Sequence, residues 1–159
     1  MRRNGKECSD LETGPGEFFM DLRDFRKHFD VLTFCLNLSN QWTEKRRKSE
    51  LTHLSKKIEF KLELEERADT MISFSQMGRR QLRDVIGPEA TFLNIRISLL
   101  DSITEEVVDV EPYGKLRTKT LRKILTAGSY LILCEAEHVD RDTPTFLRVA
   151  SLSTFSLTK

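Results

Sequence analysis

The feature that most constrains the fold is a recurring alternation of apolar and polar residues. It is clearest in the segments "IEFKLEL" (58–64) and "LNIRISL" (93–99), where every second residue is apolar and those between are polar or charged. Because successive side chains of a strand point to opposite faces, this period of two predicts strands with one face in a core and the other in water. The pattern therefore favours a mainly β protein.

Shorter segments of the same kind follow, separated by turn-like residues. The strand candidates are "MISFS", "EEVVDVE", "YLILC", "TFLRVAS" and "STFSL", and the segments between them include "IGPEA", "AGS" and "DRDTP". Roughly seven or eight short strands without a long intervening helix are typical of two packed antiparallel sheets. We therefore expect an antiparallel β-sandwich.

The first 30 residues differ from the rest of the chain. Residues 1–16 contain too few apolar side chains to offset the entropy lost on ordering, so we expect a flexible N-terminus. Residues 17–30 are predicted to be helical, because Asp21 can cap a helix and apolar residues recur behind it at helical spacing. We expect this short helix to pack on the sandwich as an appendage. The first alternating segment of the chain is "VLTFCLNL", which begins at residue 31. We therefore expect residues 31–159 to form the sandwich.

Two segments lack a clear period of two. The segment "NQWTEKRRKSELTHLSKK" (40–57) contains a run of four cations and fits either a helical turn or a long loop with its charge at the surface. In "TKTLRKILTAG", the spacing of Leu121, Ile124 and Leu125 predicts one or two helical turns. Gly128 would end this helix in a left-handed conformation.

Charge and cysteine usage restrict the class of protein. The chain has 26 basic and 25 acidic residues among 159, so any strong field must be local, and we expect no nucleic-acid partner. Its length suits one domain with a short appendage. Three cysteines without close pairing, and no signal peptide, predict reduced thiols and a cytoplasmic location. No apolar run approaches the roughly 20 residues that span a bilayer.

The sequence does not predict a catalytic or zinc site. The chain has three cysteines and three histidines, at Cys8, His28, Cys35, His53, Cys134 and His138. A cysteine nucleophile needs a histidine base and an environment that lowers the thiol pKa, and no cysteine lies at a predicted helix start. The histidines lack both i, i+4 pairing and a Cys-x-x-Cys partner. We therefore expect a non-enzymatic chain without a firm cofactor.

Two charged segments are candidate binding sites. The segment "ELEERADT" joins two predicted strands and supplies four carboxylates, those of Glu63, Glu65, Glu66 and Asp69. Calcium takes six to eight oxygen ligands, so convergent carboxylates could bind it, although the spacing matches no EF-hand loop. The alternative is a solvated β-turn rich in glutamate.

The second charged segment is a basic patch. The segment "QMGRRQLRD" places Arg79, Arg80 and Arg83 after the next predicted strand. If the acidic and basic segments lie close in space they would pair, and exposed pairs contribute only about 0 to 1 kcal/mol each. Such pairing would suit a switch better than a source of stability. The arginines are also candidates for docking a lipid surface or a protein.

Long stretches of the chain resemble calpains. The segments "GEFFMDLRDFRKHF" and "VLTFCLNL" are similar to the end of the calpain protease core, where a Gly-Glu-Phe-aromatic-Met element leads into a helix and a strand. The segment "LRKILTAGSYLILCEAEHVDRDTPTFLRVAS" is similar to the end of the calpain C2-like β-sandwich, the regulatory domain III. Between them, "IEFKLELEERADTMISFSQMGRR" occupies the position of that domain's acidic loop and basic tail. The resemblance covers residues 14–153.

The resemblance implies a C2-like sandwich that regulates a protease without containing its catalytic residues. The catalytic cysteine, histidine and asparagine of calpains would precede residue 1, so none maps onto this chain. The implied function is electrostatic docking to a calpain-like protease core or another protein, with anionic phospholipid as a further candidate partner. The acidic segment is shorter than in the family, so any calcium affinity is expected to be weak, on the order of 10⁻⁴ to 10⁻³ M. The alternative is a free-standing β-sandwich module for protein–protein interaction.

Overall fold

The computed structural model describes residues 20–29 and 38–159, which belong to two compact units, Met1–Asn37 and Leu38–Lys159. In the first unit, helix α1 spans Leu22–His28. The Asp21 carboxylate caps it by accepting a hydrogen bond from the backbone N–H of Arg23 at 2.7 Å. A short helix is thereby confirmed over part of the predicted helical segment of residues 17–30, of which residues 17–19 and 30 lie outside the described residues. The flexible N-terminus of residues 1–16 and the strand predicted from residue 31 lie outside the described residues.

The second unit contains nine strands and one helix within residues 38–159. In chain order these are β1 (Thr43–Leu51), β2 (Lys57–Leu64), β3 (Ala68–Gln76), α2 (Arg79–Ile86), β4 (Ile95–Asp101), β5 (Val107–Gly114), β6 (Thr118–Leu125), β7 (Gly128–Ala136), β8 (Thr143–Ser151) and β9 (Phe155–Thr158). The strands form a four-stranded sheet of order β1-β8-β3-β6 and a five-stranded sheet of order β5-β4-β7-β2-β9. Every pairing is antiparallel. The predicted antiparallel β-sandwich is confirmed.

The core lies between the two sheets and follows the alternation of the sequence. Along β2, exposed and buried residues alternate without interruption from Lys57 to Leu64. The core's largest fully buried side chains include Phe60, Phe74 and Phe155. Burying one such side chain contributes roughly 1.5–3 kcal/mol, so these rows of apolar residues hold the sheets together.

The segment of residues 40–57, predicted to be a helical turn or a loop, instead contains strand β1. Strand β1 pairs with β8 over its whole length, from Thr43↔Ser151 to Leu51↔Thr143. The alternation is hidden because Lys45 and Arg47 occupy positions on the same face as the buried Ser49 and Leu51. Edge strands tolerate such charges because they are only half covered.

The helical turns predicted for residues 118–128 are wrong, since these residues form strand β6 and the start of β7. Leu121 and Leu125 are buried, whereas Ile124 is 57% exposed. A spacing of four residues puts two side chains on one face of either a helix or a strand. The pattern therefore could not distinguish a helix from a strand. Gly128 has a φ of +153°, in the region that favours glycine, but it begins a strand that enters the opposite sheet.

Candidate functional site

Two of the four acidic residues that were candidate calcium ligands, Glu63 and Asp69, have separate cationic partners. On β2, the Glu63 carboxylate lies 2.8 Å from Nζ of Lys61 and accepts a hydrogen bond from Oγ of Ser156 at 3.1 Å. The hydrogen bond from Lys61, followed by that from Ser156, lowers the pKa of Glu63. On β3, Asp69 accepts hydrogen bonds from Arg122 of β6, the shortest at 2.6 Å. These two carboxylates are therefore already neutralised by neighbouring cations.

The remaining two carboxylates, Glu65 and Glu66, are exposed in the turn between β2 and β3. Across residues 20–29 and 38–159, no three His, Cys, Asp or Glu side chains are grouped in a way that could hold a metal ion. The partner of Asp69 is Arg122, so the acidic segment does not pair with the predicted basic patch through that residue. Calcium binding stays a prediction from the sequence.

The predicted basic patch forms the exposed face of helix α2. Arg79, Arg80 and Arg83 are exposed, whereas Leu82 is 2% exposed and anchors the helix. The backbone N–H of Gly78 donates to the side chain of Gln81, three residues later, which helps to start the helix at Arg79. None of the ion pairs formed between described residues involves the three arginines. Their charges are therefore available to a partner.

A cavity of about 340 Å³ lies beside the start of α2, on the outer face of the four-stranded sheet. We call it the arginine cavity, because three of the residues that line it are arginines. The lining residues that matter here are Arg46, Met77, Gln81, Arg117, Phe146 and Arg148. The arginines come from β1, from the residue before β6 and from β8, so only the folded sheet brings them together.

Two of these arginines face each other across neighbouring strands. Arg46 of β1 and Arg148 of β8 are directly opposite partners. Like charges in this position repel and destabilise a sheet. Glu44 relieves the repulsion by accepting from Nε and Nη2 of Arg148, at 2.8 and 2.5 Å, and from Nε of Arg46. One carboxylate therefore bridges both guanidinium groups.

The environment of Glu44 keeps it ionised. Its partial burial acts to raise the pKa, but hydrogen bonds from Arg148 and then Arg46 outweigh that effect and lower the pKa of Glu44 below its usual 4.5. A carboxylate that stays charged at neutral pH holds both arginines in place. The bridge is therefore a stable part of the cavity near pH 7.

The third arginine of the cavity is positioned through its backbone. The buried Gln76 donates its backbone N–H to the carbonyl of Arg117 at 2.9 Å and its side-chain amide to the carbonyl of Leu116 at 2.9 Å. The Gln76 side chain also exchanges two hydrogen bonds with the backbone of Leu93. The guanidinium of Arg117 lies beside Gly78, where a Cβ would be 3.6 Å from its Cζ. No carboxylate among the described residues forms an ion pair with Arg117.

The cysteines and histidines are dispersed in the described part of the chain. Cys134 of β7 is fully buried, and burial strongly raises the pKa of its thiol. His53 Nδ1 lies 4.0 Å from the Asp142 carboxylate, while His28 and His138 are exposed. Cys8 and Cys35 lie outside the described residues.

Sequence reasoning found the arginines of α2 but missed the arginine cavity. Arg46 was part of the recognised charge run, while Arg117 and Arg148 belong to no charged segment that the sequence patterns singled out. Their convergence depends on the pairing of β1 with β8 and on the position of α2, neither of which the sequence patterns indicated.

Comparison of the sequence with protein families and with curated proteins gave no match. The resemblance to calpains therefore rests on the motifs quoted above. None of the helices in residues 20–29 and 38–159 is long and apolar enough to cross a membrane. The cytoplasmic location stays a prediction.

Proposed function

We propose that this chain is a non-catalytic regulatory domain of the calpain-like kind, which docks a protease core or another protein by electrostatic contacts. The observation that carries the proposal is the cationic surface formed by Arg79, Arg80 and Arg83 of α2 beside the arginine cavity. The calpain-like motifs of the sequence and the β-sandwich fold support the same function.

The positive charge of this surface is local. The chain as a whole carries a net charge of only +1, so it does not attract anions indiscriminately. Three guanidinium groups lie on helix α2, which Leu82 anchors, and they have no ion-pair partner among the described residues. Arginine suits carboxylate recognition because its planar group donates two parallel hydrogen bonds. An acidic protein surface would therefore be steered to this face.

A binding measurement with a purified partner tests the proposal. The full chain is titrated by calorimetry with a calpain-type protease core that lacks its own sandwich, at low and at moderate salt. We expect the variant with Arg79→Gln, Arg80→Gln and Arg83→Gln to bind at least tenfold more weakly than the unaltered chain. The affinity of the unaltered chain should fall as salt rises, because salt screens exposed charges.

A matched control separates this surface from net charge. The control carries Lys56→Gln, Arg67→Gln and Lys159→Gln, three exposed cations on other parts of the sandwich that form no ion pair with a described residue. It should bind the core as the unaltered chain does. Equal weakening in both variants would contradict a role for α2, and so would undetectable binding by the unaltered chain.

A further inference from the structure

We infer that the arginine cavity binds a phosphate monoester carried on a side chain of the docked protein. The inference rests on the proposed function, since it assumes that a protein partner lies against α2. It names the chemical group that the cavity selects on that partner.

The cavity brings together three positive groups from different parts of the chain. The cavity is lined by Arg46 of β1, Arg148 of β8 and Arg117 just before β6. Three guanidinium groups from different elements can surround a tetrahedral dianion, which offers three oxygens and a charge of about −1.5 to −2. A carboxylate has two oxygens and one charge, so it would form fewer hydrogen bonds with the three arginines and neutralise less of their charge.

Arg46 and Arg148 are hydrogen-bonded, and the backbone of Arg117 is fixed, before any ligand arrives. Glu44 accepts from one nitrogen of Arg46 and from two nitrogens of Arg148. Each guanidinium carries five N–H groups, so most donors of both residues remain available. Arg117 stands on a backbone fixed by the buried Gln76. Groups that are already ordered lose less entropy when a ligand binds.

The size and the walls of the cavity also suit a phosphorylated side chain. Its volume of about 340 Å³ is at the lower end of the range for ligand pockets, which suits one modified side chain. Phe146, 45% exposed, and Met77 give it an apolar side that can contact the carbon atoms bearing the phosphate. Among the residues that line the cavity, Phe146 is the only large apolar side chain with much of its surface exposed, so the site is better suited to a protein side chain than to insertion into a lipid bilayer.

Titration of the full chain with short peptides tests the inference. The probes are one alanine-glycine peptide with a central phosphoserine, the same peptide with serine, and the same peptide with glutamate. Nuclear magnetic resonance follows the Nε–Hε signals of the arginines. We expect the signals of Arg46, Arg117 and Arg148 to shift and saturate with the phosphopeptide. Its affinity should exceed that of each other peptide at least tenfold.

The variant Arg117→Gln provides the decisive comparison. Arg117 makes no ion pair with a described residue, so its replacement should leave thermal unfolding unchanged while weakening phosphopeptide binding at least fivefold. Arg67→Gln is the matched control, because it removes the same charge from the exposed turn between β2 and β3, outside the cavity lining. It should bind the phosphopeptide normally.

Three outcomes would overturn the inference. They are equal affinity for the three peptides, equal weakening by Arg117→Gln and Arg67→Gln, or binding to vesicles of phosphatidylcholine with phosphatidylserine but to no peptide. The proposed function is tested separately. It predicts that the triple α2 variant binds the protease core more weakly, whether or not the cavity binds a phosphate. If the chain binds the phosphopeptide selectively and that variant still binds the protease core normally, the cavity is a phosphate site and the docking proposal is refuted.

Discussion

Glu44 shows how a single residue can permit an arrangement that its neighbours disfavour. Without it, the guanidinium groups of Arg46 and Arg148 would face each other uncompensated across two paired strands. Its carboxylate is 25% exposed, so its hydrogen bonds are partly protected from water. The bridge therefore joins the stability of the sheet to the geometry of the arginine cavity.

Replacement of this carboxylate should destabilise the sandwich in a pH-dependent way. We expect Glu44→Gln to lower the free energy of unfolding by about 1 kcal/mol near pH 7, because the repulsion between the arginines returns. The pKa of Glu44 is lower in the folded protein than its usual 4.5. Its stabilisation is thus fully present above 4.5 and is lost as the pH falls through the folded-state value.

Urea unfolding of both proteins at several pH values measures this difference. Glu50→Gln is the control, since Glu50 is an exposed carboxylate of the same strand without a described ion pair. An equal loss in both variants, or a difference that persists in acid, would argue against the bridge.

At the scale of elements, the edges of the two sheets are closed by long cationic side chains. From edge strand β1, Nζ of Lys45 donates to the carbonyl of Phe155 at 2.5 Å, and Nη2 of Arg47 donates to the carbonyl of Leu157 at 2.7 Å. At the opposite side, Nζ of Lys123 in β6 donates to the carbonyl of Val108 at 2.6 Å. In each case an edge strand of the four-stranded sheet covers carbonyls of an edge strand of the other sheet. Exposed edges otherwise invite pairing with another chain.

Removal of these contacts should expose strand β9. We expect the double variant Lys45→Ala and Arg47→Ala to associate at lower temperature than the unaltered chain, because the carbonyls of Phe155 and Leu157 become free acceptors. Light scattering during gentle heating measures the onset. Lys48→Ala is a control from the same strand, since Lys48 is exposed and takes no part in these contacts. Association of the control at the same temperature as the double variant would contradict this role.

At the scale of the whole molecule, the two sheets are interleaved by the path of the chain. Only the connection from β4 to β5 joins neighbouring strands of one sheet, and every other connection between successive strands passes to the opposite sheet. Neither sheet is therefore a continuous stretch of sequence. The two sheets must assemble together, and the core closes only when both are present.

This topology predicts that residues 38–159 unfold in one cooperative transition. The single tryptophan, Trp42, reports on the start of β1, and far-ultraviolet circular dichroism reports on all strands. We expect the two signals to give the same midpoint in urea, because breaking either sheet opens the shared core. Two separate midpoints would show that one sheet survives without the other.

Local sequence patterns were sufficient to identify a strand where its apolar residues are buried and its polar residues are exposed. Alternation identified β2 because each of its apolar side chains enters the core and each polar one meets water. It failed for β1, where Lys45 and Arg47 occupy positions on the inward side of the strand and donate hydrogen bonds to strand β9. It failed for β6 because the spacing of Leu121 and Leu125 fits both periods.

The sequence by itself determined the class of fold and the presence of a basic patch at residues 79–83, since strand alternation and adjacent arginines are local properties of the chain. Tertiary structure alone decided which charges remain available. Strand register allows Asp69 to form an ion pair with Arg122 and places Arg46 opposite Arg148. Helix α2 and the backbone around Gln76 place Arg117 in the same cavity as Arg46 and Arg148. The physical reason is that electrostatic interactions depend on distances between side chains, and pairing distant strands sets those distances.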